Sequence, residues 1–309
     1  MKKIFITGIE GFVGHHLADL LSAKNYEVSG IYFDETAAAG LPGKPYQCDI
    51  RGIEPLKKVL ADINPDWVFH LAAISSVAIS YRQPSVTFDI NVQGTWNLLA
   101  ALADLGLKPR IALVSSCEIY GRASGFPTPE TAPAQPVSPY ALSKVLAEEV
   151  GRFYLRAAGS DVVILRPFTH TGPGHSEVFV FPSVAKRIVE IERGNHEPVL
   201  EVGNIENRRD FTDVRDIVKA YMLSCEHCQA GEAYNITSGK SLIIKEGIEF
   251  LLSQAKKKIE LKIDPDRLRP NDIPVLNGDG SKFAKATGWK PEREFKQTLL
   301  ELLEYYRQR

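Results

Sequence analysis

Cysteine is scarce in this chain, whose 309 residues contain four: Cys48, Cys117, Cys225 and Cys228. Four scattered thiols are too few to form the disulfide framework of a secreted domain. Cys225 and Cys228 have the spacing of half a zinc site, but no second pair accompanies them in the sequence. We therefore predict no metal site, and we interpret these two residues as thiols of a largely buried helix.

Long apolar runs and an excess of charge of one sign are also missing. No apolar stretch is long enough for a bilayer-spanning helix, and the lysines near the start precede no apolar segment of signal-peptide length. The 37 basic residues nearly balance 38 acidic ones, so bulk charge gives no reason to expect a nucleic-acid partner. The sequence predicts a cytoplasmic protein with no nucleic-acid and no membrane partner.

Short β-branched runs alternate with longer helical patterns over the first two thirds of the chain. The candidate strands are KIFIT, YEVSGIYF, WVFHLA, RIALVSS and DVVILRPF, and the intervening helices begin at Phe12, end near Ile63, span 92–105 and begin at Pro139. Strands that take turns with helices form a parallel sheet through right-handed crossovers. The pattern predicts an α/β fold with a doubly wound parallel sheet of the Rossmann type.

The composition changes after Phe168, where the turn-forming segment THTGPGHSEVF begins and shorter strands follow. We predict a Rossmann domain over residues 1–168 and a smaller α/β lobe, mainly for substrate, over 169–309. Segments near 204–237 are expected to rejoin the Rossmann domain.

A glycine-rich turn joins the first strand to the first helix. Gly8, Gly11 and Gly14 are spaced as GxxGxxG directly after KIFIT. Such glycines permit a tight turn and a close approach of the backbone to a pyrophosphate, which lies at the N-terminus of the following helix. A strand before and a helix after make this position more specific than three glycines alone, and it predicts a dinucleotide-binding site.

The second strand bears on which dinucleotide binds. An acid after this strand hydrogen-bonds the ribose of NAD, whereas an arginine there accommodates the 2′-phosphate of NADP. The usual acid position holds Tyr32, Asp34 follows two residues later, and no basic residue occurs from 31 to 43. NAD or NADP is therefore expected, with NAD favoured. Asp49 and Ile50 suit an adenine contact, although Asp49 could equally cap the next helix.

A serine, a tyrosine and a lysine form a candidate proton-transfer site. In Ser138-Pro139-Tyr140 the serine caps a helix and the proline occupies its first position, so Tyr140 and Lys144 lie one turn apart on one face. A nearby ammonium lowers the pKa of a tyrosine, as a general acid or base requires. Ser116 ends a strand at the sheet edge where ligands bind in doubly wound folds, and we predict that it holds the same substrate oxygen.

Together these residues resemble the extended short-chain dehydrogenase/reductases. The motifs that carry the resemblance are TGxxGFVG, HLAA at 70–73, NVQGT at 91–95, SSCEIYG at 115–121, SPYALSK at 138–144 and RPFTHTGPG at 166–174. The resemblance implies an NAD(P)-dependent enzyme with Ser116, Tyr140 and Lys144 as catalytic residues, Lys144 also holding the nicotinamide ribose. Cofactor contacts are expected at Phe12, Val13, Leu71, Ala72 and Ala73, with His70 either at the cofactor edge or a core residue.

Within this family, the segments 202–221 and 267–279 are most similar to the branch that acts on GDP-mannose and its derivatives. The similarity implies reduction at C4 of a GDP-4-keto-6-deoxy sugar, with Lys186, Arg209 and Arg269 as cations for the nucleotide diphosphate and Asp272 also at the substrate. Each cation could instead be a solvated surface charge.

Two residues leave the reaction open. Glu118 occupies the position of the carboxylate that removes a proton in 4,6-dehydratases, so we include it among the catalytic residues. Thr169 replaces the substrate-contacting asparagine that is usual in the family, and a hydroxyl makes fewer hydrogen bonds. A GDP-mannose 4,6-dehydratase and a nucleotide-sugar 4-epimerase are the alternatives, and a non-enzymatic dinucleotide sensor is disfavoured by the intact Ser116, Tyr140 and Lys144.

The resemblance also implies a homodimer. Family members commonly pair through the helices corresponding to 92–105 and 139–157, which form a four-helix bundle between subunits. We therefore expect a homodimer that binds a nucleotide-diphosphate sugar.

Overall fold

The structure is a computed structural model that describes residues 1–34, 40–267 and 272–309. Within these ranges a seven-stranded sheet dominates the fold, and all of its pairings are parallel. Its strands are β1 (Lys3–Thr7), β2 (Glu27–Tyr32), β3 (Lys44–Gln47), β4 (Trp67–His70), β5 (Arg110–Val114), β6 (Asp161–Pro167) and β10 (Ala233–Ile236), in the order β10-β6-β5-β4-β1-β2-β3. The predicted doubly wound parallel sheet is confirmed.

Helices cover both faces of this sheet. They are α1 (Phe12–Ala23), α2 (Ile53–Ile63), α3 (Val77–Arg82), α4 (Pro84–Phe88), α5 (Gly94–Asp104), α6 (Pro139–Ala158) and α8 (Val214–His227). Leu17 of α1 and Ile217 of α8 belong to the core on one face, whereas Leu60 of α2 and Leu98 of α5 belong to the core on the other. Burial on both faces explains why strands such as β5 are continuously apolar.

The smaller lobe has its own sheets and core. Its strands are β7 (Thr169–Thr171), β8 (Val199–Val202), β9 (Arg208–Asp213), β11 (Ser241–Ile243), β12 (Glu260–Ile263) and β13 (Val275–Leu276), and its helices include α7 (Val180–Glu192), α9 (Ile244–Ser253) and α11 (Phe295–Arg307). Helix α10 (Ser281–Thr287) packs instead in the core of the large sheet, through Phe283. In the described residues, β11, β9, β13 and β7 form one sheet, and β8 pairs with β12. Phe181, Ile248 and Leu302 pack together in a separate core.

The chain crosses between the two parts more than once. Strand β10 pairs with β6, and α8 packs against the large sheet, although both follow residue 168. Cys225 and Cys228 are free thiols buried in that same core. No helix in the described ranges is long and apolar enough to cross a membrane. The domain boundary at 168 remains a prediction.

Candidate active site

The turn between β1 and α1 is built from backbone contacts. The amides of Gly8 and Ile9 both donate to the Ile31 carbonyl, at 3.0 and 3.1 Å, which fixes the turn over the end of β2. Gly8 has a φ of 72°, a conformation that side chains disfavour. Gly11 caps α1 without a side chain, so the first-turn amides are available to an anion.

Close packing explains the last glycine of this turn. A Cβ at Gly14 would lie 2.2 Å from the carbonyl oxygen of Gly8, so only glycine lets the helix approach the turn this closely. The close contact between α1 and the turn, together with the amides that no side chain caps, fits the binding of a dinucleotide pyrophosphate. The motif therefore has the geometry that its spacing predicts.

A cavity of about 600 Å³ begins at this turn and extends between the two parts of the molecule. Most of the predicted site residues line it: Gly8, Gly11, Phe12, Val13, Gly14, Leu71, Ala73, Ser116, Glu118, Tyr140, Lys144, Thr169, Arg209 and Asp272. The structure thus brings the predicted cofactor, proton-transfer and substrate residues to one cavity.

Other predicted residues lie outside the cavity lining. Ala72 sits behind Gly8, with its amide donating to the Thr7 hydroxyl at 3.1 Å. Asp34 follows β2, and Asp49 accepts two hydrogen bonds from the Arg51 guanidinium group next to buried Ile50. Asp34 thus follows β2, and Asp49 and Ile50 follow the neighbouring strand β3, at the edge of the sheet where doubly wound folds hold an adenosine.

The predicted cations have different surroundings. Lys186 is half exposed on α7 and pairs with Glu177 and Glu190, away from the cavity lining. Arg209 is buried, with its guanidinium group 3.4 Å from Asp272, and both residues line the cavity. Arg269 lies outside the described residues. The structure therefore favours the surface-charge alternative for Lys186.

Helix α6 positions the proton-transfer residues. The Ser138 hydroxyl accepts from the Ala141 amide at 3.1 Å and Pro139 opens the helix, as its sequence predicts. Tyr140 and Lys144 are both more than nine-tenths buried, and the Lys144 ammonium donates to the Val114 carbonyl at 2.8 Å. Ser116 follows the end of β5 and caps the short 3₁₀ segment that contains Glu118, accepting from the Glu118 amide at 3.2 Å.

Burial shifts the pKa values of both Tyr140 and Lys144. Loss of hydration raises the pKa of Tyr140 well above its ordinary value, and a hydrogen bond with Ser116 opposes this increase. Burial lowers the pKa of Lys144 to about 8, while the negative charge of Glu148 opposes this decrease. The prediction that Lys144 lowers the tyrosine pKa therefore fails in this structure, because desolvation is the larger effect and the ammonium bonds to a carbonyl instead.

A buried ion pair lies one further turn along α6. The Arg166 guanidinium group donates to both carboxylate oxygens of Glu148, at 2.9 and 2.7 Å, and to the Tyr120 hydroxyl at 2.9 Å. Because Glu148 is paired in this way, burial does not neutralise it, and its pKa stays below the ordinary value. The sequence motifs did not single out this pair, whose members are 18 residues apart.

His70 is a core histidine with a defined tautomer. The Thr7 hydroxyl oxygen accepts from two amides, so its proton is donated to His70 Nδ1, at 2.8 Å. The Nε2–H then donates to the Thr95 hydroxyl at 2.8 Å, which donates to the Asn91 carbonyl. Burial lowers the pKa of His70 to about 3, so the ring is neutral.

Asn91 connects this network to α6, and sequence reasoning missed it although it lies in the NVQGT motif. It occurs in a π-helical segment, Asp89–Gln93, of the kind that often marks functional sites. Its amide nitrogen donates to the Ile74 carbonyl and to the Ser143 hydroxyl, at 3.1 and 2.9 Å. Ser143 in turn donates to the Tyr140 carbonyl at 2.7 Å, so the network holds the start of α6 in place.

A stack of rings joins the glycine turn to the small lobe. The Phe12 ring lies 4.2 Å from that of His175, which lies 4.3 Å from that of Phe179. All three residues line the cavity. Sequence reasoning assigned Phe12 to the cofactor but missed its partners, because their order in the chain gives no sign that they meet.

Comparison with known proteins identifies the family. The sequence profile described as GDP-mannose 4,6 dehydratase matches residues 5–302. The chain belongs to that family. It is an NAD(P)-dependent enzyme of the short-chain dehydrogenase/reductase type, which confirms the resemblance seen in its motifs.

Individual relatives differ in the reaction they catalyse. GDP-6-deoxy-D-mannose reductase from Pseudomonas aeruginosa is 36% identical over 304 residues, covering 98% of this chain and 96% of the relative. The structure of RMD from Pseudomonas aeruginosa complexed with NADPH matches with a TM-score of 0.88 and 34% identity, covering 100% of this chain and 99% of that chain. UDP-glucose 4-epimerase from Thermotoga maritima, solved with UDP-glucose, matches with a TM-score of 0.88 and 28% identity, covering 99% and 98%.

Proposed function

We propose that this enzyme reduces the C4 ketone of GDP-4-keto-6-deoxy-D-mannose with NAD(P)H and forms GDP-D-rhamnose. The observation that carries the proposal is the buried Tyr140, which meets Ser116 in the same cavity that the glycine turn lines. The similarity to a GDP-6-deoxy-D-mannose reductase, at 36% identity over nearly the full chain, supports the choice of substrate.

The proposed chemistry assigns a separate task to each side chain. Reduction of a ketone adds a hydride to carbon and a proton to oxygen, and the dinucleotide supplies the hydride when bound. Ser116 donates a hydrogen bond to the ketone oxygen, and Tyr140 transfers its hydroxyl proton to that oxygen. The Tyr140 phenol is protonated at neutral pH and so has a proton to donate, although burial raises its pKa and makes it a weaker acid than an exposed tyrosine. The Lys144 ammonium, one turn away on α6, holds the nicotinamide ribose in our proposal.

The substrate diphosphate is assigned to the small-lobe side of the cavity. Arg209 is proposed to bind it, since this residue lines the cavity, as Arg267 also does, and a guanidinium group can donate two parallel hydrogen bonds to phosphate oxygens. Asp272 holds Arg209 in position. Thr169 lines the same cavity and is proposed to contact the sugar.

A 4,6-dehydratase is the second candidate, because Glu118 lines the cavity two residues after Ser116. A carboxylate in this position could remove a proton from the sugar, as water elimination requires. The two reactions differ in the fate of the hydride. A reductase consumes NAD(P)H, whereas a dehydratase or an epimerase returns the hydride to the sugar.

The reductase assignment predicts a requirement for a 4-keto substrate. Purified enzyme would be incubated with GDP-mannose and NADH or NADPH, with and without a separate GDP-mannose 4,6-dehydratase, while absorbance at the dihydronicotinamide band is followed. We expect oxidation of the dinucleotide only when the dehydratase is present. Formation of a 4-keto sugar from GDP-mannose by this enzyme alone would contradict a pure reductase.

We also propose a homodimer formed by α5 and α6. Large apolar side chains are exposed on these helices, at 41% for Trp96, 41% for Leu142, 37% for Leu146 and 43% for Phe153. Trp96 and Phe153 stack with their centroids 5.5 Å apart, so they form a continuous apolar surface. Such a patch is typical of an interface between subunits.

A cytoplasmic location of the enzyme is also a proposal, and cell fractionation tests it.

The dimer proposal predicts a large effect of charge at Trp96. Trp96→Glu would place a carboxylate in the apolar surface beside Phe153, and we expect the dimer dissociation constant to rise at least ~100-fold, as for a tryptophan that is an interface hot spot. Sedimentation velocity measures the change. Ile263→Glu, at another exposed apolar residue, is the control and should leave the dimer intact. A monomeric wild type would contradict the proposal.

A further inference from the structure

Glu10 lies inside the glycine turn, and the mechanism above does not use it. One of its carboxylate oxygens, Oε1, accepts a hydrogen bond from the Phe33 amide at 3.0 Å. Phe33 is the first residue after β2, so the carboxylate is held against the carboxyl end of that strand. The other oxygen, Oε2, is buried and has no hydrogen-bond partner among the residues that the structure describes.

An unpartnered buried carboxylate oxygen is costly in a folded protein. Buried polar groups nearly always have partners, so each exception needs an explanation, such as a functional role or a partner that binds from outside the chain. The missing partner of Glu10 Oε2 must be a donor, because a carboxylate oxygen only accepts. The turn therefore holds one unfilled acceptor, and a rotation of the Glu10 side chain, which is only partly buried as a whole, would bring that acceptor to a ligand hydroxyl or N–H group.

The position of this acceptor indicates which ligand group supplies the donor. In doubly wound sheets the adenosine ribose lies beyond the end of the second strand, where an acid normally receives its 2′-hydroxyl. Here that strand ends in Tyr32, which supplies no carboxylate. Glu10 brings a carboxylate to the same strand end from the glycine turn instead.

The neighbouring charges also disfavour a phosphate at this place. Asp34 follows directly after Phe33 in the chain, and Asp49 forms an ion pair with Arg51. Among the described residues, Arg51 is a cation close to this place, with its guanidinium carbon 5.7 Å from the Phe33 ring centroid. Its Nε and Nη2 groups already donate to Asp49, so this face of the guanidinium group is not free to bind a phosphate.

We propose that Glu10 is the residue that selects the dinucleotide, by accepting a hydrogen bond from the ribose 2′-hydroxyl and repelling a 2′-phosphate. This inference rests on the proposed function to the extent that the cavity binds a dinucleotide. It assigns NADH as the reductant, in contrast to the Pseudomonas aeruginosa structure, which is complexed with NADPH. A 2′-phosphate would add roughly two negative charges next to the Glu10 carboxylate, and like charges repel.

The test is direct titration of the enzyme with NADH and with NADPH, followed by nucleotide fluorescence in low-salt buffer. We expect the wild type to bind NADH at least tenfold more tightly than NADPH. Glu10→Gln removes the charge while keeping the shape, and we expect it to reduce this ratio to threefold or less. Asp19→Asn removes an exposed charge from α1 and should leave the ratio unchanged. Thermal unfolding of each variant verifies that it is folded.

A second measurement needs no variant. AMP and adenosine 2′,5′-bisphosphate compete with NADH for the wild-type enzyme, and we expect AMP to compete at least tenfold more strongly. Equal or tighter binding of NADPH by the wild type, or an unchanged ratio in Glu10→Gln, would overturn the role of Glu10. Failure of both dinucleotides to bind would overturn the proposed function itself, which separates the two results.

Discussion

Tyr140→Phe is expected to lower turnover of the 4-keto sugar by about 10³-fold while leaving dinucleotide affinity within about twofold, since a positioned general acid typically contributes 10²–10⁴-fold. The substitution removes only the hydroxyl that we assign as the proton donor. The residue is only 7% exposed and its ring remains in place, so the start of α6 should keep its packing. Turnover is measured from NADH absorbance, and affinity is measured by fluorescence titration.

Tyr154→Phe is the matched control. Tyr154 is on the same helix and has the same exposed fraction, 7%, but it packs in the core beneath the sheet and away from the cavity. Its loss of a hydroxyl should leave turnover unchanged. If Tyr140→Phe kept wild-type turnover, or if Tyr154→Phe lost as much activity, the role assigned to Tyr140 would be wrong.

Gly14→Ala is expected to weaken dinucleotide binding at least tenfold and to lower the free energy of unfolding by about 1–3 kcal/mol, the usual cost of overpacking. The new Cβ would lie 2.2 Å from the Gly8 carbonyl oxygen and 2.9 Å from the Ile9 Cα atom. Both are backbone atoms, so the turn must move away from α1. That movement displaces the amides that we assign to the pyrophosphate.

Gly125→Ala provides the comparison for this prediction. Gly125 is exposed, and an added Cβ would meet no atom of the described residues within 4 Å. We expect the free energy of unfolding to change by less than about 0.5 kcal/mol and the affinity to stay constant. Chemical denaturation and NADH titration measure both quantities. A Gly14→Ala variant with wild-type affinity would show that the turn does not hold the dinucleotide.

Sequence patterns predicted the regular elements well because their signals are local. The helix predicted from Pro139 does begin there, since Ser138 and Pro139 specify its start through neighbouring backbone groups. The helix predicted over 92–105 differs at its start, because residues Asp89–Gln93 form a π-helical turn before α5. Periodicity does not distinguish such a turn from an α-helix, since both present a similar apolar face over a few residues.

Sequence reasoning was less successful with side chains whose surroundings come from distant parts of the chain. For Lys186 the sequence left open a phosphate-binding cation or a solvated surface charge, and its ion pairs with Glu177 and Glu190 outside the cavity lining favour the surface charge. The buried partner of Glu148 is Arg166 on β6, and no motif joins the two. Glu10 was overlooked because its meaning depends on Phe33, which β2 brings next to the glycine turn.

The sequence by itself determined the parallel sheet, the glycine turn and the placement of Tyr140 and Lys144 on one helix face, because each follows from local spacing and from the periods of helix and strand. Only the tertiary structure decided the charges and partners of these groups. Desolvation acts on Tyr140 through residues that meet it only after folding, and it raises a pKa that the helix spacing alone predicts to be lowered. Likewise, the surroundings of Glu10 depend on the pairing of β1 with β2. This pairing brings residues that are distant in the chain next to the Glu10 carboxylate and leaves one of its oxygens buried without a partner.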